Sequence, residues 1–342
     1  MTKRSRWLWF GLLPAALVGC RPSAAAPAPV ASIPSAADPA ADAAAQALEK
    51  LGARVERDEA APGRPVVGVD FSSAFPRVGD AELNRLARLG RLRTLRLTHS
   101  RTTDAGMKEL ARLKNLQELV LANTAVGDAG LKELTGLKDL RRLDLSYTEA
   151  TDAGMRFIAE LTDLQELNLE GAVDGKASIT DAGLKELAGL RDLQRLNLFD
   201  RKVTDAGLKE LAGLRDLREL NLEATDVTDA GLKELAVLPR LEALMLGGGP
   251  LTGEGFKDLA GAASLKKLRL RGSQLNDAGW KALAGLSGLE ELEIQYTPTP
   301  DSGLKQLAVL ANLRKLELGT TDASDVGVAE LQAALPGCEI RK

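Results

Sequence analysis

Apolar positions within residues 205–228 follow two periods in succession. Leu208, Leu211 and Leu214 recur near the spacing that puts side chains on one helical face, while Leu217, Leu220 and Leu222 end in the alternation of a strand. A short helix followed by a short strand is therefore expected. The same block returns along the chain, opening at Asp80, Asp104, Asp128, Asp152, Asp181, Asp205, Asp229, Gly253, Asp277, Asp301 and Asp325. Each step is 24 residues except that from Asp152 to Asp181, which is 29. A fixed period of this length marks a solenoid, whose units bury their apolar faces only against their neighbours.

Stacking such units has a geometric consequence. Strands lie about 4.8 Å apart and packed helices need about 8 to 10 Å, so the stack must curve, strands inside and helices outside. The first leucines of the strand motif are Leu92, Leu116, Leu140, Leu164, Leu193, Leu217, Leu241, Leu265, Leu289 and Leu313. Their regularity is what the fold assignment rests on.

The Leu-x-x-Leu-x-Leu run, with Thr225 three residues beyond Leu222, resembles the leucine-rich repeat pattern, Thr standing where that family often has Asn or Cys. The resemblance covers residues 66–342. It is similar to the ribonuclease-inhibitor-like and F-box-associated subtypes, and to bacterial proteins built from TDAGL-type repeats. It implies an α/β solenoid, a curved horseshoe with a parallel β-sheet on its concave face and short helices on its convex face. It also implies a binding scaffold.

Helix starts carry their own chemistry. Thr180-Asp181, Thr204-Asp205 and Thr228-Asp229 place a hydroxyl and a carboxylate where a helix leaves N–H groups unpaired. Capping is the expected role, and calcium binding is not, because one Asp per turn has no second acidic ligand. The repeat at Gly253 replaces Asp with Gly and Ala with Glu254, which should weaken its helix start. The extra residues after Leu169 contain Asp174-Gly175 and are expected to turn at the edge of the inner surface. Trp280 takes a leucine position and should pack inside.

The N-terminal residues read differently. Lys3, Arg4 and Arg6 precede an apolar run over residues 7–18, too short to span a membrane but fitting a secretory signal over residues 1–19. Leu17-Val18-Gly19-Cys20 resembles the bacterial lipobox, which implies cleavage before Cys20 and lipidation there. Two or more acyl chains would anchor stably. Arg21 stands where an Asp would retain many Gram-negative lipoproteins at the inner membrane, so the outer membrane is the expected address. Residues 20–44, rich in Ala, Pro and Ser, read as a tether. Residues 45–79 read as an N-terminal cap, with a helix over 45–51 and a candidate strand over 53–58, followed by Val66, Val69 and Phe71 at the leucine spacing. Repeats occupy 80–324, and 325–342 form a C-terminal cap.

Formal charge is −3 over 342 residues, so no strong field favours nucleic acid. After processing only Cys20 and Cys338 remain, which excludes a disulfide framework. His99, the only histidine, neighbours Ser100, but no orienting acid or oxyanion hole is marked. No phosphate loop, HExxH or paired-Cys spacing occurs. No enzyme activity, cofactor or metal is expected.

The informative positions face outward between the strand leucines. One row runs Thr94, Glu118, Arg142, Glu166, Arg195, Glu219, Ala243, Lys267, Glu291, Lys315 and should pair opposite charges across strands. The next runs Arg96, Val120, Asp144, Asn168, Asn197, Asn221, Met245, Arg269, Glu293, Glu317, its three successive asparagines able to bond across strands. Glu166, Glu170, Asp200, Glu219 and Glu223 make the middle acidic, and Lys267, Arg269 and Arg271 make a later strand basic. Aromatic and Arg anchors concentrate interface energy. A contact centred near Phe199, Met245 and Arg269 is therefore expected, with Tyr147, Asn197, Asp200, Asn221, Arg271 and Tyr296 around it.

The expectation is a monomeric, lipid-anchored, extracytoplasmic scaffold binding a protein or peptide through its concave face, with no nucleic acid partner. An envelope spacer without a ligand is the alternative. A substrate-recognition role like that of F-box-linked repeats is less supported, because no F-box segment precedes the repeats.

Overall fold

The computed structural model describes residues 38–73, 78–171 and 179–342. The expected signal segment, Cys20 and the turn expected at Asp174-Gly175 lie outside them. Caps and repeats belong to one unit, Ala36–Lys342.

Among the described residues a single 13-stranded sheet runs in sequence order. Its strands are β1 (Arg54–Arg57), β2 (Val66–Asp70), β3 (Thr94–Arg96), β4 (Glu118–Val120), β5 (Arg142–Asp144), β6 (Glu166–Asn168), β7 (Arg195–Asn197), β8 (Glu219–Asn221), β9 (Ala243–Gly247), β10 (Lys267–Arg271), β11 (Glu291–Gln295), β12 (Lys315–Gly319) and β13 (Glu339–Arg341). From β2 onward every neighbouring pair is parallel. Only β1 is antiparallel, folding back on β2 as a hairpin that covers the entry edge.

The core is the leucine column. Leu208, Leu211, Leu214, Leu217, Leu220 and Leu222 are each at most 1% exposed, and the leucines at the equivalent positions of the other repeats are buried with them. Trp280 fills its leucine position at 1% exposure. Its ring lies 2.7 Å from where a Cβ on Gly303 would stand, so the glycine makes room for it.

The N-terminal helix is Pro39–Lys50, opening inside the stretch read as tether rather than near residue 45. Asp38 explains the earlier start, since its carboxylate accepts from the N–H groups of Ala40 and Ala41 while Pro39 stands in the first turn. The alanines that follow are strong helix formers, and Ala44, Ala45 and Leu48 are buried. Arg57 of β1 reaches Asp42 at 2.7 Å and ties the hairpin to this helix. At the other end β13 pairs with β12, a short strand within the segment read as the C-terminal cap.

The threonines cap their own helices, as Thr204 does by accepting from Ala206 N at 3.2 Å. The aspartates do something else. Asp181 Oδ1 accepts the Thr204 N–H at 2.9 Å and Oδ2 accepts the Thr204 hydroxyl at 2.7 Å, so each carboxylate clamps the helix start of the next repeat. The same bond pair joins Asp80 to Thr103, Asp128 to Thr151, Asp152 to Thr180, Asp205 to Thr228 and Asp301 to Ser324. Both oxygens are engaged within the protein.

The repeat at Gly253 differs as its sequence implies. Its α-helix is reduced to Phe256–Leu259 with no side-chain cap, and the helix before it, Asp229–Leu235, is 3-10.

Candidate binding face

Alternation in each strand sends its leucines inward and the residues between them outward. Both outward rows pair in the expected register, Thr94 through Lys315 in one and Arg96 through Glu317 in the other. The first row is a charge ladder. Glu118 meets Arg96 at 2.6 Å and Arg142 at 3.4 Å, Glu166 meets Arg142 at 3.1 Å and also Arg195, and Lys267 meets Glu291 at 2.9 Å.

The asparagines behave differently from the expected cross-strand ladder. Oδ1 of Asn168, Asn197 and Asn221 accepts the N–H two residues on, from Glu170 at 3.1 Å, Phe199 at 3.0 Å and Glu223 at 3.0 Å. Their acceptors thus close each strand's own end. Cross-strand bonding is left to the amide side, where Asn197 Nδ2 donates to Glu170 Oε2 at 3.5 Å.

Beyond seven of the strands the chain passes through a left-handed non-glycine residue: His99, Asn123, Tyr147, Asp200, Ala224, Tyr296 and Thr320 have φ between 50° and 60°. Tyr147, Asp200 and Tyr296 therefore stand on the turns at the rim, not on the strands. Asp200 is exposed there. Tyr147 donates its hydroxyl to Glu170 Oε1.

Two groups form from the candidate residues. Asn197, Phe199 and Asn221 adjoin on β7 and β8 and their extensions, with Tyr147 joined through Glu170. The second group is basic and aromatic: Arg269 Nε donates to Glu293 Oε2 at 2.7 Å, and the Arg271 guanidinium lies 5.4 Å from the Tyr296 ring centroid. Half-buried Met245 on β9 separates them.

Three residues beyond the expected contact shape this surface, two of them, Glu170 and Glu223, from its acidic middle. Glu223 is 4% exposed and lies 3.9 Å from Arg269 and 4.0 Å from Arg271 across β9, where Gly247 has no side chain to intervene. Glu170 holds both Tyr147 and Asn197. Arg201 is buried at the position where other repeats carry Thr124, Thr148 or Thr225, and it donates to the carbonyl oxygens of Leu169 and Glu170. The threonines instead bond the carbonyl three residues back within their own repeat. Only the departure from Thr at residue 201 signalled this in the sequence.

Burial sets the electrostatics. It raises the carboxyl pKa of Asp144, Glu219 and Glu223, for Glu223 against the pull of Arg269 and Arg271. It lowers the Arg201 pKa to about 10. The face thus holds costly charge near its centre.

Ser100 Oγ pairs with Thr102 Oγ1 at 2.8 Å, and the His99 N–H donates to Ala122 O. Neither interaction builds a nucleophile and base.

A search of curated proteins found no match. Among solved structures the chain is similar to an internalin (inlF) from Listeria monocytogenes, with 20% identity, TM-score 0.52, and coverage of 88% of this chain and 94% of that one. That likeness concerns the fold alone. A second Listeria monocytogenes internalin, C2, is 28% identical over 64% of this chain and 84% of its own, TM-score 0.48. A leucine-rich repeat protein of Leptospira interrogans is 22% identical over 76% and 80%, TM-score 0.44. The family model described as a leucine-rich repeat region matches residues 80–334, most of the chain. On its sequence and on its ordered parallel stack, this chain belongs to the leucine-rich repeat proteins.

Proposed function

We propose that the outward sheet face is a binding surface for a protein or peptide, carried outside the cytoplasm on a lipid attached at Cys20. The observation that supports the reading is the mixture around β7 to β11. Half-buried Phe199 and Met245 stand among charged groups, and Tyr296 is 55% exposed at the rim. Aromatic and Arg side chains there can be covered by a partner with gain. The helix-bearing repeats are also in keeping with a ribonuclease-inhibitor-like design. A monomer suffices for this role, since one chain presents the whole face.

The test is crosslinking in the native cells with a photoreactive residue at Phe199, Met245 or, as control on the helical side, Val309, which is 67% exposed. Face positions should yield a discrete adduct that Val309 does not. Identical adducts from all positions, or none from the face, would remove the reading. In the same cells an alkyne fatty acid should label the protein, and Cys20→Ser should abolish the label. A labelled variant would overturn the anchor.

A further inference from the structure

The turns that lead from each helix into the next strand form one edge of the stack, and charge is unevenly spread along it. In the first three repeats, at residues 88–93, 112–117 and 136–141, this edge carries seven arginines and lysines against one acid, Asp139. In the next three, at 160–165, 189–194 and 213–218, it carries three against four acids. A chain of net charge −3 thus gathers positive charge at one end of one edge.

The register of Thr94 with Glu118 and of Glu118 with Arg142 brings equivalent turn residues side by side. Arg91 and Arg93 there line an open cleft of about 470 Å³ with Asn115, Gln117 and Asp139. Arg88 and Arg91 are exposed and have no hydrogen bond or ion pair among the described residues. Arg93 stands 3.9 Å from Asp58 and Arg112 3.8 Å from Glu109, both beyond hydrogen-bond reach. Lys114 and Lys138 each donate to a carbonyl oxygen, of Gly136 and Glu160, which leaves their charge uncompensated. Of the seven, only Arg141 is closely paired among the described residues, to Asp163 at 2.9 Å. Exposed charge so sparsely compensated is drawn to a surface of opposite sign, and guanidinium groups take phosphate oxygens two at a time.

We propose that the basic edge of the first three repeats docks on the phosphate-bearing headgroups of the membrane. The inference rests on the lipid anchor at Cys20 and states how the anchored chain stands on its membrane. Two features select a lipid surface as the occupant. The charge is spread over three repeats, which matches an extended anionic surface and not a single ion. The edge also begins beside the element that follows the tether, because the helix Pro39–Lys50 lies against the turn Leu86–Arg88. The 17 residues between Cys20 and Asp38 reach at most about 60 Å, so an anchored chain keeps this end near the headgroups. Docking by an edge leaves the outward sheet face open to a partner.

The test uses the full chain with Cys20→Ser, so that acyl chains contribute nothing, floated with vesicles of phosphatidylcholine alone or mixed with phosphatidylglycerol. The neutral vesicles read whatever the apolar run at residues 7–18 contributes. Binding to the anionic vesicles should be stronger by about tenfold or more and should weaken as sodium chloride is raised. Each basic group at such a surface contributes about fivefold, so Arg88→Glu, Arg91→Glu and Lys114→Glu combined should reduce binding by about tenfold or more. The melting transition should stay cooperative in that variant. Arg191→Glu, Arg215→Glu and Arg314→Glu combined make the same charge change on the edge of later repeats and should leave binding within about twofold. Equal loss in both sets, no loss in the first, or equal binding to the two kinds of vesicle would overturn the docking edge. So would displacement by inorganic phosphate at matched ionic strength, which would assign the cleft to a free anion. Because Cys20→Ser carries no lipid, failure here leaves the anchor to be judged by fatty-acid labelling, and lost labelling would remove the anchor without touching this measurement.

Discussion

At the scale of single residues, three of the four letters of the DAGL block have separate physical causes. Asp clamps the next repeat, Gly lets the neighbouring helix approach, and Leu enters the core. A Cβ on Gly207 would meet Asp181 Oδ1 at 2.3 Å and Leu184 Cδ1 at 3.1 Å, whereas one on Gly189 would meet nothing within 4 Å. Gly207→Ala should therefore cost roughly 1 to 3 kcal/mol, from overpacking and a displaced clamp. Gly189→Ala should be neutral or gain about 0.4 to 1 kcal/mol by restricting the unfolded chain. Urea denaturation of the two variants checks the contrast, and equal midpoints would refute the packing argument. Leu and Trp280 were legible in the sequence because burial follows from period alone. The clamp was not, since Asp181 and Thr204 become neighbours only once repeats have stacked. Arg201 was missed for the same reason, its acceptors lying in the preceding, irregular repeat.

At the scale of elements, helix starts and strand face respond to acid in opposite directions. Burial alone would raise the Asp229 pKa, but bonds from Gly255, Thr252 and Gly253 outweigh it and hold the carboxyl below its usual range. A depressed value in the folded state gives stability that is present above the unfolded carboxyl pKa, about 3.9, and lost as pH falls through the folded one. Glu223, Glu219 and Asp144 have the reverse sign, because burial raises them. Their folded forms take up protons first, so their cost is full at neutral pH and disappears below the unfolded value, about 4. Glu223→Gln should accordingly be more stable than the parent at pH 7, with the difference gone by about pH 4. Asp229→Asn should be less stable at pH 7, and its deficit should shrink only in stronger acid. Melting temperatures across that range decide both, and a Glu223→Gln chain destabilised at neutral pH would show that its loose pairs to Arg269 and Arg271 outweigh desolvation. Strand register and the charge ladder were legible from a row of aligned letters. The asparagine bonds were not, because an Asn facing outward can close its own turn as readily as it can bridge strands.

At the scale of the whole molecule, stability is a sum of neighbour contacts, so the weakest junction sets where the stack opens. The leucine column is continuous, but the clamp column is not. Gly253 has no carboxylate to offer Asn276, whose amide turns to Glu254 Oε1 at 2.9 Å instead. One repeat later Asp277 faces Pro300, which has neither N–H nor hydroxyl, and Asp277 is exposed where Asp181, Asp205 and Asp301 are half-buried. Asp325 is exposed in the same way and meets Lys342 Nζ at 2.6 Å. The two breaks adjoin the shortened helix Phe256–Leu259 and the glycines 247–249, so several weaknesses fall in one seam. That seam was half visible in the sequence: Gly253 departs from the repeat, while the loss at Pro300 has meaning only once the clamp is known. Amide exchange should therefore be faster in the helices at Phe256–Leu259 and Asp277–Leu283 than in those at Asp181–Leu187 and Asp205–Glu210. Pro300→Thr supplies the missing donors on an extended backbone that already suits a cap, φ −66° and ψ 155°. It should add about 1 kcal/mol, the worth of a cap bond, and slow exchange across Asp277–Leu283 and Asp301–Leu307 together. Slowing confined to the substituted turn would mean that the aspartates cap locally and do not couple repeats. Coupled slowing would establish the Asp-to-Thr column as the second spine of the stack, beside the leucines.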